Sequence, residues 1–246
     1  MTWDVLRYDT VDSTNNVCKA LAAQGLDSTA VIARAQTAGK GRLGRSFQSP
    51  EGGLYLSALW QDCPAGQLLT VTPLAAVAVC RAVESLCDTD CGIKWCNDVV
   101  LHGKKLCGIL TELSCEAESG RLEYAVIGIG VNCNTRLSEL PPEVQKRATS
   151  LREAVGREID VNALAAAMIA RLQELDAVLR GDRGPWMREY REACVTLGKQ
   201  VLLLRAGESR PAFALDVDDD AGLIVRYEDG TIGTVSSGEV SVRGIY

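Results

Sequence analysis

Histidine and aromatic residues are scarce in this sequence. Of its 246 residues only 5% are Phe, Trp or Tyr, and His102 is the single histidine. His102 falls on a predicted turn, so we expect it to be an ordinary surface residue. The sequence also lacks a Ser/His or Cys/His arrangement for nucleophilic catalysis.

Signals for export and for metal binding are missing as well. The first residues contain neither the basic nor the apolar region of a secretory signal, and no run of about 18 uncharged apolar residues could cross a membrane. The ten cysteines include no CxxC pair, and Cys87, Cys91 and Cys96 are spaced too loosely for a zinc site. We therefore expect a cytoplasmic protein with no membrane partner, whose reduced cysteines act mostly as small buried hydrophobic residues.

An excess of positive charge is missing too. The formal net charge is −6 and the pI is about 5.0, so bulk electrostatics give no reason to expect nucleic-acid binding. With 47% hydrophobic residues, the chain can bury a sizeable core. Its length fits one large domain, or one domain with a small appendage.

What the sequence does contain is a loop in which glycines alternate with cations. The residues concerned are Gly39, Lys40, Gly41, Arg42, Gly44 and Arg45. Glycine lets the backbone approach a ligand closely, and lysine and arginine bind phosphate or carboxylate oxygens. On an acidic protein, this local cluster favours a small anionic ligand over a polyanion.

The same loop fits the dinucleotide-binding pattern GxGxxG. That fingerprint requires the third glycine to open a helix. Here Pro50 and the pair Gly52-Gly53 follow, and residues 54–59 then have the pattern of a strand. A Rossmann site is therefore disfavoured. A mobile basic surface loop is the other alternative, and a second charged cluster argues against it.

The second cluster surrounds a predicted hairpin. Residues 92–101 have the pattern of a strand, a tight Asn-Asp turn and a second strand. This arrangement groups Lys94, Asn97, Asp98 and Lys105. A carboxylate beside two lysines suits a metal–phosphate site, in which the acid holds Mg²⁺ and the lysines neutralise developing charge. Each residue alone would be a solvated surface charge, so only the grouping favours a site.

The remaining pattern predicts an α+β protein. Further strands are predicted at 3–8, 29–36, 54–60, 106–113 and 124–132. Helices are predicted from 12–14 to 25, and at 69–87, 160–179 and 186–194, with Pro73 in a first turn. Gly128 and Gly130 mark either a close approach of a ligand or a bulge. Five short strands follow at 200–204, 211–217, 223–227, 231–235 and 239–243, which predicts a small barrel.

Taken together, these motifs resemble those of the biotin–protein ligases. The matching segments are, in order, Ser13-Thr14-Asn15, residues 36–45, residues 94–98, residues 105–110, residues 128–132 and the Gly238-Glu239-Val240 turn. The match is ordered and extends from Thr10 to the C-terminus, so it covers nearly the whole chain.

The resemblance implies a fold and a reaction. The fold is an α/β mixed sheet like that of class II aminoacyl-tRNA synthetases and lipoate ligases over 1–195, with a small SH3-like β-barrel over 196–246. Biotin and MgATP would give biotinyl-5′-adenylate and pyrophosphate, and the biotinyl group would pass to a lysine of a biotin carboxyl carrier protein domain. No covalent enzyme intermediate is needed, which fits the missing nucleophile arrangement. Family members often dimerise, so a homodimer is a candidate assembly.

The resemblance also implies which residues bind the ligands. They are Ser13, Thr14, Asn15, Gln36, Gly39, Lys40, Gly41, Arg42, Arg45, Phe47, Asn97, Lys105, Gly108, Gly128, Gly130 and Asn132. Ser13, Thr14 and Gln36 would bind the ureido ring, while Gly128, Ile129 and Gly130 would line the valeryl chain. Phe47 and Asn132 would meet the adenine.

Four residues carry the implied chemistry: Lys105, Arg42, Asp98 and Lys94. Arg42 and Lys105 would bring the biotin carboxylate and the α-phosphate together, and Lys105 would also polarise the acyl carbonyl. Asp98 would be the residue nearest Mg²⁺. Lys94, Asn97 and Arg45 would face the phosphates.

The sequence departs from the family pattern at two positions. Cys96 stands where proline is usual, and Phe47 stands where tryptophan is usual, which gives a smaller stacking face. Neither change removes a charged group or a metal ligand, so we expect both to be tolerated. The chain begins directly with the catalytic region, so we expect no DNA-binding domain and no DNA partner.

Two other functions are weighed against a biotin ligase. A lipoate or octanoate ligase or transferase would share the fold, but the glycine–cation loop and the Lys94–Asp98 turn favour biotin and adenylate chemistry. A non-catalytic biotin sensor would be expected to lose Asp98, Lys105 or Arg42, and all three are present.

Overall fold

The computed structural model describes residues 3–61, 67–116, 118–119, 121–205, 208–236, 239–242 and 245–246. The strands are β1 (Asp4–Val11), β2 (Thr29–Gln36), β3 (Leu54–Trp60), β4 (Gly92–Lys94), β5 (Asp98–Leu101), β6 (Lys104–Cys115), β7 (Leu122–Val131), β8 (Gln200–Arg205), β9 (Glu208–Val217), β10 (Leu223–Tyr227), β11 (Ile232–Val235) and β12 (Glu239–Val242). The α-helices are α1 (Thr14–Ala22), α2 (Leu68–Cys87), α3 (Pro142–Gln145), α4 (Leu151–Val155), α5 (Val161–Arg180) and α6 (Gly184–Ala193).

The first seven strands form one mixed sheet in the order β1-β2-β3-β7-β6-β5-β4. Only β1 and β2 are parallel to each other, because α1 crosses between them, and every other neighbouring pair is antiparallel. The pairing places β6 and β7 beside each other, with Gly108 opposite Gly130 and Leu110 opposite Gly128. These glycines therefore share one face of the sheet.

Helices cover both faces of this sheet, so its central strands are apolar throughout. All seven residues of β3 are buried. Alternate side chains such as Leu56 and Ala58 pack with α2 and α5, whereas Leu59 packs with Cys18 and Ala22 of α1. This alternation follows from the two-residue period of a strand, and it assigns the glycine face of β6 and β7 to the side of α1.

Helix α2 is the most apolar element. It is long enough and, at a hydropathy of 1.5, apolar enough to cross a membrane by length and composition alone. In the protein it is largely buried between the sheet and α5, as the sequence predicted. Its charged residue Arg81 pairs with Glu189 at 2.5 Å and lies 4.2 Å from the ring of Trp186.

The last five strands form an antiparallel sheet in the order β11-β10-β9-β8-β12. Its core is continuous with that of the large sheet, and the indole Nε1 of Trp95 donates to the carbonyl of Ala221 at 2.9 Å. Tyr246 follows this sheet, and its backbone N–H donates to Gly103 at 3.0 Å. The C-terminal segment is thus attached to the turn between β5 and β6.

Most predicted elements are confirmed, with three differences. Pro73 is the sixth residue of α2 rather than part of a first turn. Strand β1 runs on to Val11 instead of ending near Tyr8. In the described residues β11 and β12 each pair with one neighbour only, so the small sheet is open. An antiparallel sheet therefore stands where the sequence predicted a small barrel. Gly238 of the predicted turn lies outside the described residues, and the division at 195/196 stays a prediction.

Candidate functional site

A cavity of about 600 Å³ opens on the face of the large sheet that α1 covers, between the loop 36–49 and the hairpin 94–105. The sequence-predicted residues that line it are Ser13, Thr14, Asn15, Gln36, Lys40, Gly41, Arg42, Arg45, Phe47, Lys94, Asn97, Asp98, Lys105, Gly108, Gly128, Ile129 and Gly130. Two motifs that are about 50 residues apart in the sequence therefore face each other across one space.

The glycine–cation loop folds back on itself. Gly41 N–H donates to the carbonyl of Arg45 at 2.7 Å, and Phe47 N–H donates to the carbonyl of Gly39 at 2.8 Å. Only a three-residue 3₁₀ helix, Arg42–Gly44, lies between β2 and β3. The helix that a dinucleotide fingerprint requires is therefore not there, which confirms that GxGxxG is not a Rossmann motif in this chain.

A network of polar side chains lies at and behind the inner end of the cavity, and we call it the floor network: Thr14, Asn15 and Ser57, which are buried, with Gln36 and Glu112, which are half-buried. Gln36 Oε1 lies 2.8 Å from the Thr14 backbone N–H and 3.1 Å from Thr14 Oγ1. Ser57 Oγ lies 2.7 Å from Thr14 Oγ1 and 2.6 Å from Asn15 Oδ1. Asn15 Nδ2 donates to Glu112 Oε2 at 2.8 Å. The network thus joins β2, α1, β3 and β6.

The floor network ends at an ion pair. Lys19 Nζ lies 2.6 Å from Glu112 Oε1. Burial on its own would raise the pKa of Glu112, but the hydrogen bonds from Lys19 and Asn15 and the charges of Lys19 and Lys40 bring that pKa below its ordinary value of 4.5. Glu112 is therefore a carboxylate at neutral pH, which can only accept hydrogen bonds.

Four charged side chains and a tyrosine form the outer end, which we call the charged mouth: Arg42, Lys94, Asp98, Lys105 and Tyr246. Lys105 Nζ lies 2.7 Å from Asp98 Oδ1, and the hydroxyl of Tyr246 donates to Asp98 Oδ2. Lys94 Nζ lies 3.9 Å from the centre of the Tyr246 ring. Positive and negative groups are thus paired with one another at the mouth.

Arg42 is positioned by the turn between β4 and β5. Its Nη1 donates to Asn97 Oδ1 at 2.9 Å, and Asn97 Nδ2 donates to the carbonyl of Ile109 on β6 at 2.9 Å. The same guanidinium nitrogen lies 3.4 Å from Cys96 Sγ. Burial raises the pKa of the Cys96 thiol even though the Arg42 charge opposes the shift, so this thiol is held in its protonated, less reactive form.

The sheet glycines leave room for two specific side chains. A Cβ on Gly128 would lie 2.2 Å from Asn15 Oδ1, and a Cβ on Gly130 would lie 2.5 Å from Cε1 of Phe47. The Phe47 ring also approaches Gly108, where a Cβ would be 3.2 Å away. Ile129 lies in the core packed around α2, because its side chain alternates to the opposite face. Ile129 nevertheless lines the cavity together with the two glycines that flank it.

Gly39 and Asn132 are not among the residues that line the cavity. Gly39 is packed against the loop itself, since a Cβ there would lie 2.4 Å from the Phe47 carbonyl oxygen. The Asn132 amide donates to the carbonyl of Thr149 at 3.0 Å and is buried. In the described residues, both therefore act on the shape of the site rather than on its surface.

Tyr246, Arg147, Ser57 and Glu112 are among the residues of the site that were not found from the sequence. Tyr246 is 148 positions from Asp98, and no local pattern connects them. Arg147 lines the cavity, and its carbonyl accepts from Lys105 N–H at 2.7 Å. Glu112 did leave a signal, because a carboxylate inside an otherwise apolar strand needs a partner when it is buried.

The donor set suits an anion better than a metal bound by protein alone. Among the described residues there is no group of three or more His, Cys, Asp or Glu side chains that could hold a metal ion. Asp98 is the carboxylate of the charged mouth, and Mg²⁺ is commonly held by one or two carboxylates together with substrate phosphates. The residues present fit Mg²⁺ only as a companion of a bound phosphate ligand.

Two family profiles match the chain. Residues 8–132 match the biotin/lipoate A/B protein ligase family, and residues 196–243 match the biotin protein ligase C terminal domain. The first match spans the loop, the hairpin, the second half of β1 and strands β2 to β7.

Individual relatives and structures agree with the profiles. A biotin--[acetyl-CoA-carboxylase] ligase of Mycobacterium tuberculosis is 30% identical over 93% of this chain and 85% of its own. The bifunctional ligase/repressor BirA of Bacillus subtilis is 39% identical over 63% of this chain, and the match spans only 48% of that relative. The biotin protein ligase of Aquifex aeolicus in complex with biotin and ATP superposes with a TM-score of 0.84 at 30% identity, covering 98% of both chains.

The first profile, the Mycobacterium tuberculosis relative and the Aquifex aeolicus structure all match the part of the chain that contains the large sheet and the cavity. The chain belongs to the biotin/lipoate A/B protein ligase family.

Proposed function

We propose that this protein activates biotin with ATP to biotinyl-5′-adenylate and transfers the biotinyl group to a lysine of a biotin carboxyl carrier protein domain. The observation that carries the proposal is one cavity with two chemically different ends. A polar floor with buried hydroxyl and amide groups next to a glycine wall suits a neutral ring with a short alkyl chain, and the charged mouth suits a carboxylate and phosphates.

The mouth supports adenylate chemistry through its cations. In the first step a carboxylate oxygen of biotin attacks the α-phosphorus, and pyrophosphate leaves. Both reactants are anions, so Arg42 and Lys105 would offset their repulsion and the charge that develops. Mg²⁺, held by Asp98 and phosphate oxygens, would supply further charge neutralisation when the nucleotide is bound.

In the second step the carrier lysine attacks the acyl carbon, and AMP leaves. Lys105 would polarise the acyl carbonyl by donating to its oxygen. The ion pair of Lys105 with Asp98 keeps its ammonium group at the mouth, where both steps take place. Phe47, above Gly130, is placed to contact the acyl-adenylate.

Lipoate ligation is the second candidate because the matched family includes lipoate ligases. The floor network argues against it. A dithiolane ring carries no N–H or carbonyl, so it would cover the Thr14 hydroxyl and the Gln36 amide without adding a hydrogen bond to them, whereas a ureido ring can bond to both.

The proposal extends to location and partners. A cytoplasmic site of action fits the reduced cysteines, and a net charge of −6 fits the absence of a DNA partner, which a gel shift on a biotin operator would test. A homodimer would use an edge of the large sheet, where β1 and β4 are the end strands.

The direct test is transfer of labelled biotin to a carrier domain with MgATP, beside lipoate and octanoate. Wild-type protein should label the carrier with biotin only, and Lys105→Ala and Asp98→Ala should lose this labelling. Labelling with lipoate only would assign the chain to the lipoate branch. Tight biotin binding with no transfer would make it a sensor.

A further inference from the structure

We propose that Tyr246 is a positioning residue for Asp98. It holds one oxygen of the Asp98 carboxylate, so that a cation can reach only the other oxygen, which Lys105 contacts in this structure. Mg²⁺ bound together with the nucleotide then replaces Lys105 at Asp98, and the lysine is released to the ligand. This inference rests on the proposed function and deepens it, because it gives an order to the events at the charged mouth.

Tyr246 is held by its backbone and by its ring. Its N–H donates to the carbonyl of Gly103 at 3.0 Å, in the turn that joins β5 and β6. The preceding residue, Ile245, is buried in the core. Lys94 Nζ lies 3.9 Å from the centre of the aromatic ring. The hydroxyl is therefore attached to the hairpin that also carries Asp98, and the two groups stay in register.

The two oxygens of the Asp98 carboxylate have different partners. Oδ2 accepts a hydrogen bond from the hydroxyl of Tyr246, and a hydrogen bond to an ionised acceptor is about twice as strong as a neutral one. Oδ1 is buried and has no hydrogen-bond partner among the described residues, although Lys105 Nζ lies 2.7 Å away. The contact of Oδ1 with Lys105 is therefore an ion pair without the directional fit of a hydrogen bond.

This difference decides which oxygen can take another cation. A buried carboxylate oxygen needs a positive partner, and carboxylates hold Mg²⁺ together with substrate phosphates. Exchange at Oδ2 would break the hydrogen bond from Tyr246, whereas exchange at Oδ1 replaces one cation by another. We therefore expect Oδ1 of Asp98 to be the oxygen that binds Mg²⁺ when the nucleotide is present.

Lys105 can then act on the ligand without a large movement. Its side chain is half-buried and lines the cavity. A Cβ on Gly108 would lie 3.2 Å both from Lys105 Nζ and from the Phe47 ring. The ammonium group is thus already on the glycine face of the sheet, beside the ring that is placed to contact the acyl-adenylate. Before the nucleotide binds, Asp98 keeps this lysine paired.

The test measures the affinity for Mn²⁺, which takes the place of Mg²⁺ and is detected by electron paramagnetic resonance. The protein is saturated with a non-hydrolysable ATP analogue, and Mn²⁺ is titrated into wild type, Tyr246→Phe and Lys105→Met. Tyr8→Phe is the matched control for the hydroxyl, because Tyr8 is exposed on β1. Lys94→Met is the matched control for the charge, because Lys94 lines the same cavity and its ammonium group lies over the Tyr246 ring.

Tyr246→Phe should weaken Mn²⁺ binding about tenfold, because the hydrogen bond that orients a ligating carboxylate is lost. Lys105→Met should strengthen Mn²⁺ binding about tenfold, because the competing cation is removed and the buried oxygen is left without a positive partner. Such a gain is a result that damage to the fold would not produce. Lys94→Met should strengthen binding less than about threefold, and Tyr8→Phe should match wild type.

Unchanged Mn²⁺ affinity in Tyr246→Phe, or an equal loss of biotin affinity in that variant, would overturn the positioning role. Weaker or unchanged Mn²⁺ binding in Lys105→Met, or equal strengthening in Lys94→Met, would overturn the exchange at Oδ1. Each of these results leaves the proposed function intact, provided that wild-type protein binds biotin and the ATP analogue. Failure of wild type to bind them would overturn the proposed function, and this inference with it.

Discussion

The floor network and the charged mouth differ in their burial and in the kind of contact that holds their side chains. At the floor, Thr14, Asn15 and Ser57 are buried, and the hydrogen bonds of the network have separations of 2.6 to 3.1 Å. At the mouth, partly exposed ions pair with each other, as Lys105 does with Asp98. A buried network in a low-dielectric setting holds one arrangement, whereas exposed ion pairs are weak and exchange partners readily. We therefore expect the floor to be preorganised for its ligand and the mouth to rearrange when phosphates bind.

Removing a mouth cation should give the largest change. We expect Lys105→Met to lower the rate of biotin transfer about 10²–10³-fold, because the positive charge is used only as negative charge develops. Biotin affinity without ATP should change little. Single-turnover labelling of a carrier domain measures the rate, and Lys104→Met, at an exposed neighbouring position, is the control. A similar loss in Lys104→Met would show that the effect is not specific to the site.

Adding a methyl group at the floor should have the next largest effect. Unlike Lys105→Met, it should weaken the binding of biotin itself. A Gly128→Ala methyl group would lie 2.2 Å from Asn15 Oδ1, so we expect biotin affinity to fall about tenfold or more and stability to fall by about 1–3 kcal/mol. Calorimetry and thermal unfolding measure the two quantities. Gly108→Ala meets its nearest atoms at 3.2 Å, in the flexible Lys105 side chain and the Phe47 ring, and should cost less. Equal costs would contradict the steric argument.

Tyr246→Phe should have a smaller effect, and that effect should be confined to the charged mouth. The ring can still contact Lys94, but the hydrogen bond to Asp98 is lost. We expect the KM for ATP to rise about threefold to tenfold, because a hydrogen bond to a charged group contributes about 1.5–3 kcal/mol at most. The Kd for biotin should stay the same. Tyr8→Phe removes an exposed hydroxyl and is the control. A change in biotin affinity would mean that floor and mouth are coupled.

The smallest expected effect is a change in how the free energy of unfolding depends on pH under acidic conditions. The pKa of Glu112 is lower in the folded protein than its ordinary value of 4.5, so its ionised form stabilises the fold above that pH. The contribution is lost as the pH falls through the folded value. The stability difference between wild type and Glu112→Gln should therefore be constant above about pH 5 and shrink below pH 4.5. Urea unfolding from pH 3 to 7 measures it, and a difference that grows toward low pH would contradict the lowered pKa.

Local patterns were enough for the elements and for both halves of the cavity. Strand β2 and helix α5, which begins after its N-cap Asp160, lie where the sequence pattern predicted a strand and a helix. The loop 39–45 and the hairpin around Asp98 were recognised because glycine–cation and turn motifs are contiguous in sequence. The grouping of Lys94, Asn97, Asp98 and Lys105 was confirmed, because a hairpin brings near neighbours together.

What the tertiary structure decided are the contacts between distant segments. Tyr246 reaches Asp98 because the small sheet packs on the turn after β5, and no periodicity encodes that approach. Ser57 and Glu112 are ordinary residues of two strands until α1 places Asn15 between them. The floor network forms only when β2, α1, β3 and β6 pack together. The sequence therefore determined which chemical groups are present, because contiguous motifs carry their own local geometry. Tertiary packing decided which of these groups meet, because a hydrogen-bond donor has no fixed partner until the fold brings an acceptor to it.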